Sequence, residues 1–198
     1  MWSAFLAYAS LGLRHIADLQ GYDHILFVAA LTGGYRPADW RRLAWLVTAF
    51  TVGHSATLAL ATLGVVAPRS ASVEFLIPVT IVATSAFGVA AARRPPGAGG
   101  MRARYAAALG FGLVHGLGFS AFLRALLGTE ESIVLPLFAF NVGLEAGQLG
   151  IVGAVLAIGA AAERLARVPR PAWAVGVALL TGLLGLRLAV ARWPFGAG

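Results

Sequence analysis

Residues 105–127 read YAAALGFGLVHGLGFSAFLRALL, an apolar run whose only basic residues are His115 and Arg124 and which contains no acidic residue. About 20 apolar residues is the length that an α-helix needs to cross the hydrocarbon core of a bilayer. Comparable runs occupy 13–31, 43–66, 73–92, 133–162 and 172–190. The pattern predicts an all-α fold in which residues 1–198 form a single polytopic bundle of about six membrane-spanning helices. The stretch before the first run, from about Trp2, is expected to lie on the membrane surface or to be partly inserted.

The composition agrees with a membrane protein and excludes a soluble domain. Of 198 residues, 59% are hydrophobic and 12% are charged, and the mean hydropathy is +0.82. About a quarter of the residues are charged in a soluble domain. The formal charge of +7 comes from 15 arginines, with no lysine. These arginines lie mainly in short connections, which indicates membrane orientation and not nucleic-acid binding.

The arginine distribution predicts the orientation of the bundle. Ten arginines lie in the first, third and fifth connections, whereas the second and fourth carry only Arg69 and Arg124. Because basic connections stay cytoplasmic, both termini are predicted to lie outside. Two pairs of glycines spaced four apart, Gly112 with Gly116 and Gly143 with Gly147, are expected to let helices approach closely.

Eight histidines and acidic residues fall inside the predicted spans, where each costs roughly 2.5 to 3.5 kcal/mol on insertion scales. They include all four histidines and half of the acidic residues. They are His15, Asp18, Asp23, His24, His54, Glu74, His115 and Glu145. The predicted topology places all eight in the outer half or at the midplane of one bundle, which is where transporters bind their substrates.

Imidazole and carboxylate ligands without cysteine suit Ni²⁺, Co²⁺ or Zn²⁺ as the bound ion. Asp23 and His24 point about 100° apart on a helix. Either both reach one ion because Gly21 loosens the backbone, or Asp23 orients a neighbouring histidine from behind. Both alternatives are compatible with the spacing.

Other polar residues are candidates for lining the same site. Asn141, Glu145 and Gln148 are spaced i, i+4 and i+7, so they share one helix face, which serves either as contact between helices or as lining of the site. Ser55 follows His54 and is a further lining candidate. Arg187 lies deep in the last run, where it either pairs with one of the acids or extends to the membrane surface.

Five segments together resemble the HupE/UreJ family of membrane proteins associated with nickel-enzyme maturation. In order along the chain, they are His15-Ile16 with 21–27 (GYDHILF), 50–58 (FTVGHSATL), Val73-Glu74, 111–119 (FGLVHGLGF) and 140–149 (FNVGLEAGQL). The resemblance implies a permease for nickel or a similar divalent cation in a bacterial cytoplasmic membrane. It also implies a second copy or metalloenzyme-maturation proteins as partners.

The sequence departs from this family pattern at two places. His15 lies six residues before Gly21, where the family's histidine lies four before, and Ala17 occupies the equivalent position. Either Asp18 takes that ligand role or the backbone before Gly21 bulges. The family also carries a Glu-Asn pair late in the third span, where this chain has Phe87-Gly88.

Two other functions use the same residues. An intramembrane hydrolase would hold a zinc ion with the His and Asp side chains and activate water. An accessory subunit of another membrane complex would explain the absence of extramembrane domains, but not polar groups gathered at one depth. The sequence therefore predicts a permease, with the hydrolase as its main alternative and no catalytic residue in the permease.

Overall fold

The computed structural model of the chain describes residues 2–67, 69–93, 100–127 and 132–194. Regular structure in these ranges is helical, with no strand among them, which confirms the all-α prediction. A 3₁₀ turn, Pro37–Asp39, precedes the third of seven α-helices. The helices are α1 (Trp2–Ile16), α2 (Asp23–Thr32), α3 (Trp40–Thr62), α4 (Ser70–Ala92), α5 (Met101–Leu127), α6 (Val134–Leu165) and α7 (Arg170–Ala191).

Five helices, α3 to α7, are long and apolar enough to cross a membrane. Their outer surfaces expose large apolar side chains. The exposed fractions of Phe87, Phe138 and Leu183 are 66%, 62% and 66%. A soluble protein rarely exposes continuous apolar surface of this kind, whereas lipid tails cover it without cost. The chain is therefore a helical membrane bundle.

The first predicted span differs from the structure. The sequence predicts one helix over 13–31, but α1 ends at Ile16 and α2 begins at Asp23. Between them, Asp18 Oδ1 accepts a hydrogen bond from the backbone N–H of Gln20 at 2.9 Å. Such a local bond competes with helical bonding, and Gly21 follows it. The stretch before residue 13 is also helical, because α1 reaches back to Trp2 and packs lengthwise on α6.

Glycines bring the helices into close contact in pairs, as their spacing predicts. A Cβ atom on Gly112 would overlap the carbonyl oxygen of Phe50, and one on Gly53 would overlap that of Leu109. These contacts join α3 to α5. Gly143 meets the backbone of Ala9 in the same way, which joins α6 to α1. The third extensively packed pair is α4 with α7.

Both ends of the described chain lie at the same end of the bundle. Phe5 contacts Phe138, with ring centroids 6.3 Å apart, and Ile16 contacts Gly147, so α1 runs parallel to α6. The short connection after α6 makes α7 antiparallel to it. We call this end the terminal end. The opposite, arginine-rich end carries basic residues of the first, third and fifth connections, including Arg36, Arg93 and Arg164. Arg94, counted with the third connection, lies outside the described residues.

The buried core is divided into two apolar clusters. One, toward the arginine-rich end, contains Phe27, Phe50 and Val152. The other, toward the terminal end, contains Leu58 and Phe140. All four histidines lie between the two clusters, near the middle of the long helices.

Candidate metal site

Four histidines from four different helices meet at the centre of the bundle. His15 lies in the last turn of α1, His24 is the second residue of α2, His54 lies on α3 and His115 lies on α5. The ring centroid of His24 is 4.7 Å from that of His15 and 4.9 Å from that of His115. The ring of His54 lies 6.1 Å from His15 and 6.2 Å from His24. The predicted set of histidines is therefore one cluster in space.

Three of these histidines are spaced to share an ion. One nitrogen from each of His15, His24 and His54 lies within 4.8 Å of the others. A metal–nitrogen distance of about 2.0 to 2.1 Å requires ligand nitrogens about 3 to 4 Å apart. A small inward shift of the rings would bring the three nitrogens to the spacing that a shared ion needs. The ring of His115 borders this group beside His24.

Hydrogen bonds determine the tautomers of two rings. Asp23 Oδ1 accepts from the Nδ1–H of His24 at 3.0 Å, because a carboxylate only accepts. The Thr80 hydroxyl donates to the Ile77 carbonyl at 2.7 Å, so its oxygen accepts from the Nε2–H of His115 at 2.9 Å. In the neutral rings, His24 Nε2 and His115 Nδ1 are therefore the nitrogens that carry the lone pairs. Deprotonated nitrogens of this kind are the ones that bind metals.

The remaining nitrogens of the cluster are buried and unpartnered within the described ranges. They are His15 Nε2, His24 Nε2, both nitrogens of His54, and His115 Nδ1. His54 and His115 have no exposed surface. A buried polar atom without a partner costs about 1 to 3 kcal/mol, so native proteins avoid it. Several such atoms converging at one place indicate a binding site.

A pocket of about 210 Å³ connects the cluster to the terminal end. His15, His24 and His115 lie at its inner part, and Asp18 and Glu74 are exposed at its mouth. Glu74 also accepts a hydrogen bond from Ser70 at 2.9 Å. The pocket thus offers carboxylates near the surface and imidazoles inside.

Aromatic rings close the cluster on the opposite side. Phe27 and Phe50 are each 1% exposed, and their ring centroids are 4.8 Å apart. Each lies 5.1 Å from the ring of His115. These rings fill the space toward the arginine-rich end, whereas the pocket opens the cluster toward the terminal end.

The polar face of α6 lies away from the pocket and joins helices. Thr48 of α3 donates to Glu145 at 2.6 Å, and Thr51 donates to Gln148 at 2.8 Å. The side-chain amide of Asn141 donates to a carbonyl of its own helix. None of the three α6 residues is among the described residues that line the histidine pocket. The hydrogen bonds therefore favour contact between helices over lining of the site, the two alternatives that the sequence left open.

Other predicted candidates are placed as follows. Asp23 binds His24 from behind through Oδ1, the orienting arrangement. Ser55 donates its hydroxyl to the Thr51 carbonyl, so it is engaged within α3. His15, whose position departs from the family spacing, has its ring beside His24, while Asp18 lies at the pocket mouth. The backbone between them leaves the helix, which brings both residues to one pocket.

Sequence reasoning missed two residues of this region, Arg192 and Thr80. Arg192 pairs with Asp23 at 2.9 Å. Arg187, the arginine that the sequence singled out, is exposed and forms no ion pair within the described ranges. Arg192 follows the last helix, outside every predicted span, so no periodicity could have indicated it. Thr80 lies within a span, but its hydrogen bond to His115 depends on how α4 meets α5.

Unpartnered histidines at the centre of an apolar helical bundle define a membrane protein with a candidate metal site. The chain belongs to the HupE/UreJ family, because the family model described as HupE / UreJ protein matches residues 1–194. This is a transporter-type family associated with metal transport, and not an enzyme family. The comparisons with curated proteins and with solved structures give no match.

Proposed function

We propose that the chain is a permease for divalent transition-metal cations, with Ni²⁺ as its preferred substrate. The observation that carries the proposal is the set of unpartnered imidazole nitrogens on His15, His24 and His54, within 4.8 Å of one another. His15 and His24 line a pocket that reaches one end of the membrane bundle, and the fully buried ring of His54 lies next to them. Nitrogen ligands without thiolate suit Ni²⁺, Co²⁺ and Zn²⁺, and Ni²⁺ binds more tightly than Co²⁺ in the usual affinity order.

The arrangement of the pocket supports entry of the cation from the terminal end toward the histidine cluster. A hydrated cation first meets the exposed carboxylates Asp18 and Glu74, which attract it electrostatically. It then exchanges water for imidazole nitrogen at the cluster. Release toward the arginine-rich end requires Phe27 and Phe50 to move, because their rings close that side. The route therefore needs two states that are open at opposite ends.

The orientation of the bundle is part of this proposal. In a bacterial cytoplasmic membrane, the arginine-rich end faces the cytoplasm and the pocket faces outward. The ion is then delivered to the side where metalloenzyme-maturation proteins reside. The resemblance to the HupE/UreJ family is what implies these partners and this membrane.

Cysteine labelling tests the orientation, because the chain has no cysteine of its own. Ser3 on α1 and Arg102 on α5 are both exposed, at opposite ends of the bundle. We expect Ser3→Cys to react with a membrane-impermeant maleimide in intact cells, and Arg102→Cys to react only after permeabilisation. The reverse labelling pattern would contradict the orientation.

Uptake into proteoliposomes tests the permease directly. We expect vesicles containing the wild-type protein to accumulate radioactive Ni²⁺ over time, with Co²⁺ and Zn²⁺ as competitors. His24→Ala should reduce uptake to the level of vesicles without protein, because it removes the imidazole at the centre of the cluster. Competition by each ion ranks the selectivity.

A different outcome would identify a different function. If wild-type vesicles stay impermeable while the protein retains one metal ion per chain, the permease proposal is wrong. The zinc-dependent hydrolase, which must hold its ion through turnover, would then be the function to test.

A further inference from the structure

Arg192 places a permanent positive charge inside a pocket that is otherwise suited to cations. It lines the pocket together with Glu74 and His24, and its side chain is 28% exposed. A guanidinium stays protonated at any physiological pH. Its charge opposes a bound dication at short range. A residue that only improved cation binding would not carry this charge.

The charge acts through Asp23. One oxygen of that carboxylate, Oδ1, accepts from the backbone N–H of His24 at 2.9 Å and from its Nδ1–H at 3.0 Å. The other oxygen, Oδ2, accepts from Arg192 Nη1 at 2.9 Å. Arg192 thus neutralises the carboxylate that polarises the His24 ring. While this pair is intact, His24 is a weaker metal ligand, because its orienting carboxylate carries less effective charge.

The ion pair between Arg192 and Asp23 is not needed to anchor the end of α7. Trp193, the next residue, packs edge-on against Phe75 of α4, with ring centroids 5.1 Å apart. Gly185 and Gly182 further fix α7 against α4 by close contacts with Ile81 and Ser85. The end of α7 is therefore held without Arg192.

We propose that Arg192 is a displaceable electrostatic latch on Asp23 that weakens metal binding so that the ion can be released. The inference rests on the proposed metal-binding function and adds its regulation. In one state Arg192 holds Asp23, as the structure shows. An arriving dication repels the guanidinium, Asp23 then acts fully on His24, and the return of Arg192 to Asp23 favours release. Arg192 is a positioning residue, since it acts on the ion through Asp23 and His24.

The variant Arg192→Gln tests the latch because glutamine removes the charge and keeps a neutral N–H donor on a shorter side chain. We expect calorimetry in nanodiscs to show Ni²⁺ binding roughly tenfold tighter than wild type, within the usual range of coupling between groups. Maximum uptake should fall by a similar factor, because release becomes limiting. Arg192→Lys, which keeps the charge, should restore both values toward wild type.

Arg187→Gln is the matched control, because Arg187 lies near the end of α7 but is exposed and away from the pocket. It should bind and transport as wild type does. In Asp23→Asn protein, adding Arg192→Gln should tighten binding much less than it does in wild type, because only the direct repulsion between guanidinium and ion is then relieved. Persistence of the full tightening in that background would overturn the route through Asp23.

The latch is overturned if Arg192→Gln binds Ni²⁺ as weakly as wild type or more weakly. A low thermal midpoint of the metal-free variant, rescued by Arg192→Lys, would then identify Arg192 as a structural anchor. If wild type binds Ni²⁺ but does not transport it, the permease fails while the affinity comparison still decides the latch. If wild type binds no Ni²⁺, Co²⁺ or Zn²⁺, both proposals fail.

Discussion

His54→Ala is expected to weaken metal binding about 100-fold or more, in addition to the stability that the protein loses when a fully buried ring is truncated. Both ring nitrogens of His54 are buried without a partner, so the ring contributes no hydrogen bond to the described fold. Loss of groups that only orient a ligand typically costs about 10- to 100-fold in affinity, so loss of a ligand itself should cost about 100-fold or more. Calorimetry with Ni²⁺ on the purified protein measures the change.

Thermal unfolding separates this role from a structural one. At about a hundred times its Kd, a ligand stabilises the native state by about 2.7 kcal/mol. Wild type should therefore gain in unfolding midpoint when Ni²⁺ is added, and His54→Ala should not. Val52→Ala on the same helix is the control, because Val52 is 54% exposed on the outer surface. Retention of the Ni²⁺-dependent gain in His54→Ala would contradict the proposed cluster.

Gly112→Ala and Gly110→Ala are expected to change stability in opposite directions. A Cβ atom on Gly112 would overlap the carbonyl oxygen of Phe50, a backbone atom that no rotamer change can move. Overpacking of this kind costs about 1 to 3 kcal/mol, and sometimes more. At Gly110, two residues earlier on α5, a Cβ atom would have no neighbouring atom within 4 Å. There alanine should gain up to about 1 kcal/mol from helix propensity.

The Gly112 substitution should also disturb the metal site. The same added atom would lie against the backbone nitrogen of His54, so separating α3 from α5 moves His54 away from the cluster. Unfolding midpoints in detergent and Ni²⁺ affinity measure both effects on the two variants. Equal midpoints for Gly112→Ala and Gly110→Ala would show that the close helix contact is absent in solution.

Much of the fold was predictable because hydropathy is a property of neighbouring residues along the chain. The runs that predict α3 to α7 end within a few residues of the observed helices. The glycine pairs were predictable for a related reason, since their spacing places them on one helix face. The break between Ile16 and Asp23 was not, because it depends on a side-chain bond from Asp18 and on contacts with α6.

The candidate site was predictable in its residue types but not in its arrangement. The cost of burying ionisable groups in a membrane singles out four histidines and four acids. Which of them meet depends on distances between helices. Glu145 bonds to Thr48 on α3, whereas Asp23 bonds to His24 and Arg192. The position of Asp23 next to His24 allows the first of these bonds, but nothing in the spacing along the chain indicates the bonds to Thr48 and Arg192.

The sequence alone therefore determined that this chain is a helical membrane protein with buried polar groups, because transfer of each segment into lipid is a sum over its own residues. The tertiary structure decided which groups share a pocket, which side of that pocket is closed, and that, among the described residues, Arg192 and not Arg187 pairs with an acid. Those outcomes depend on how far apart the helices lie and how they are rotated. Both are set by contacts between residues distant in sequence, such as Phe50 with Gly112.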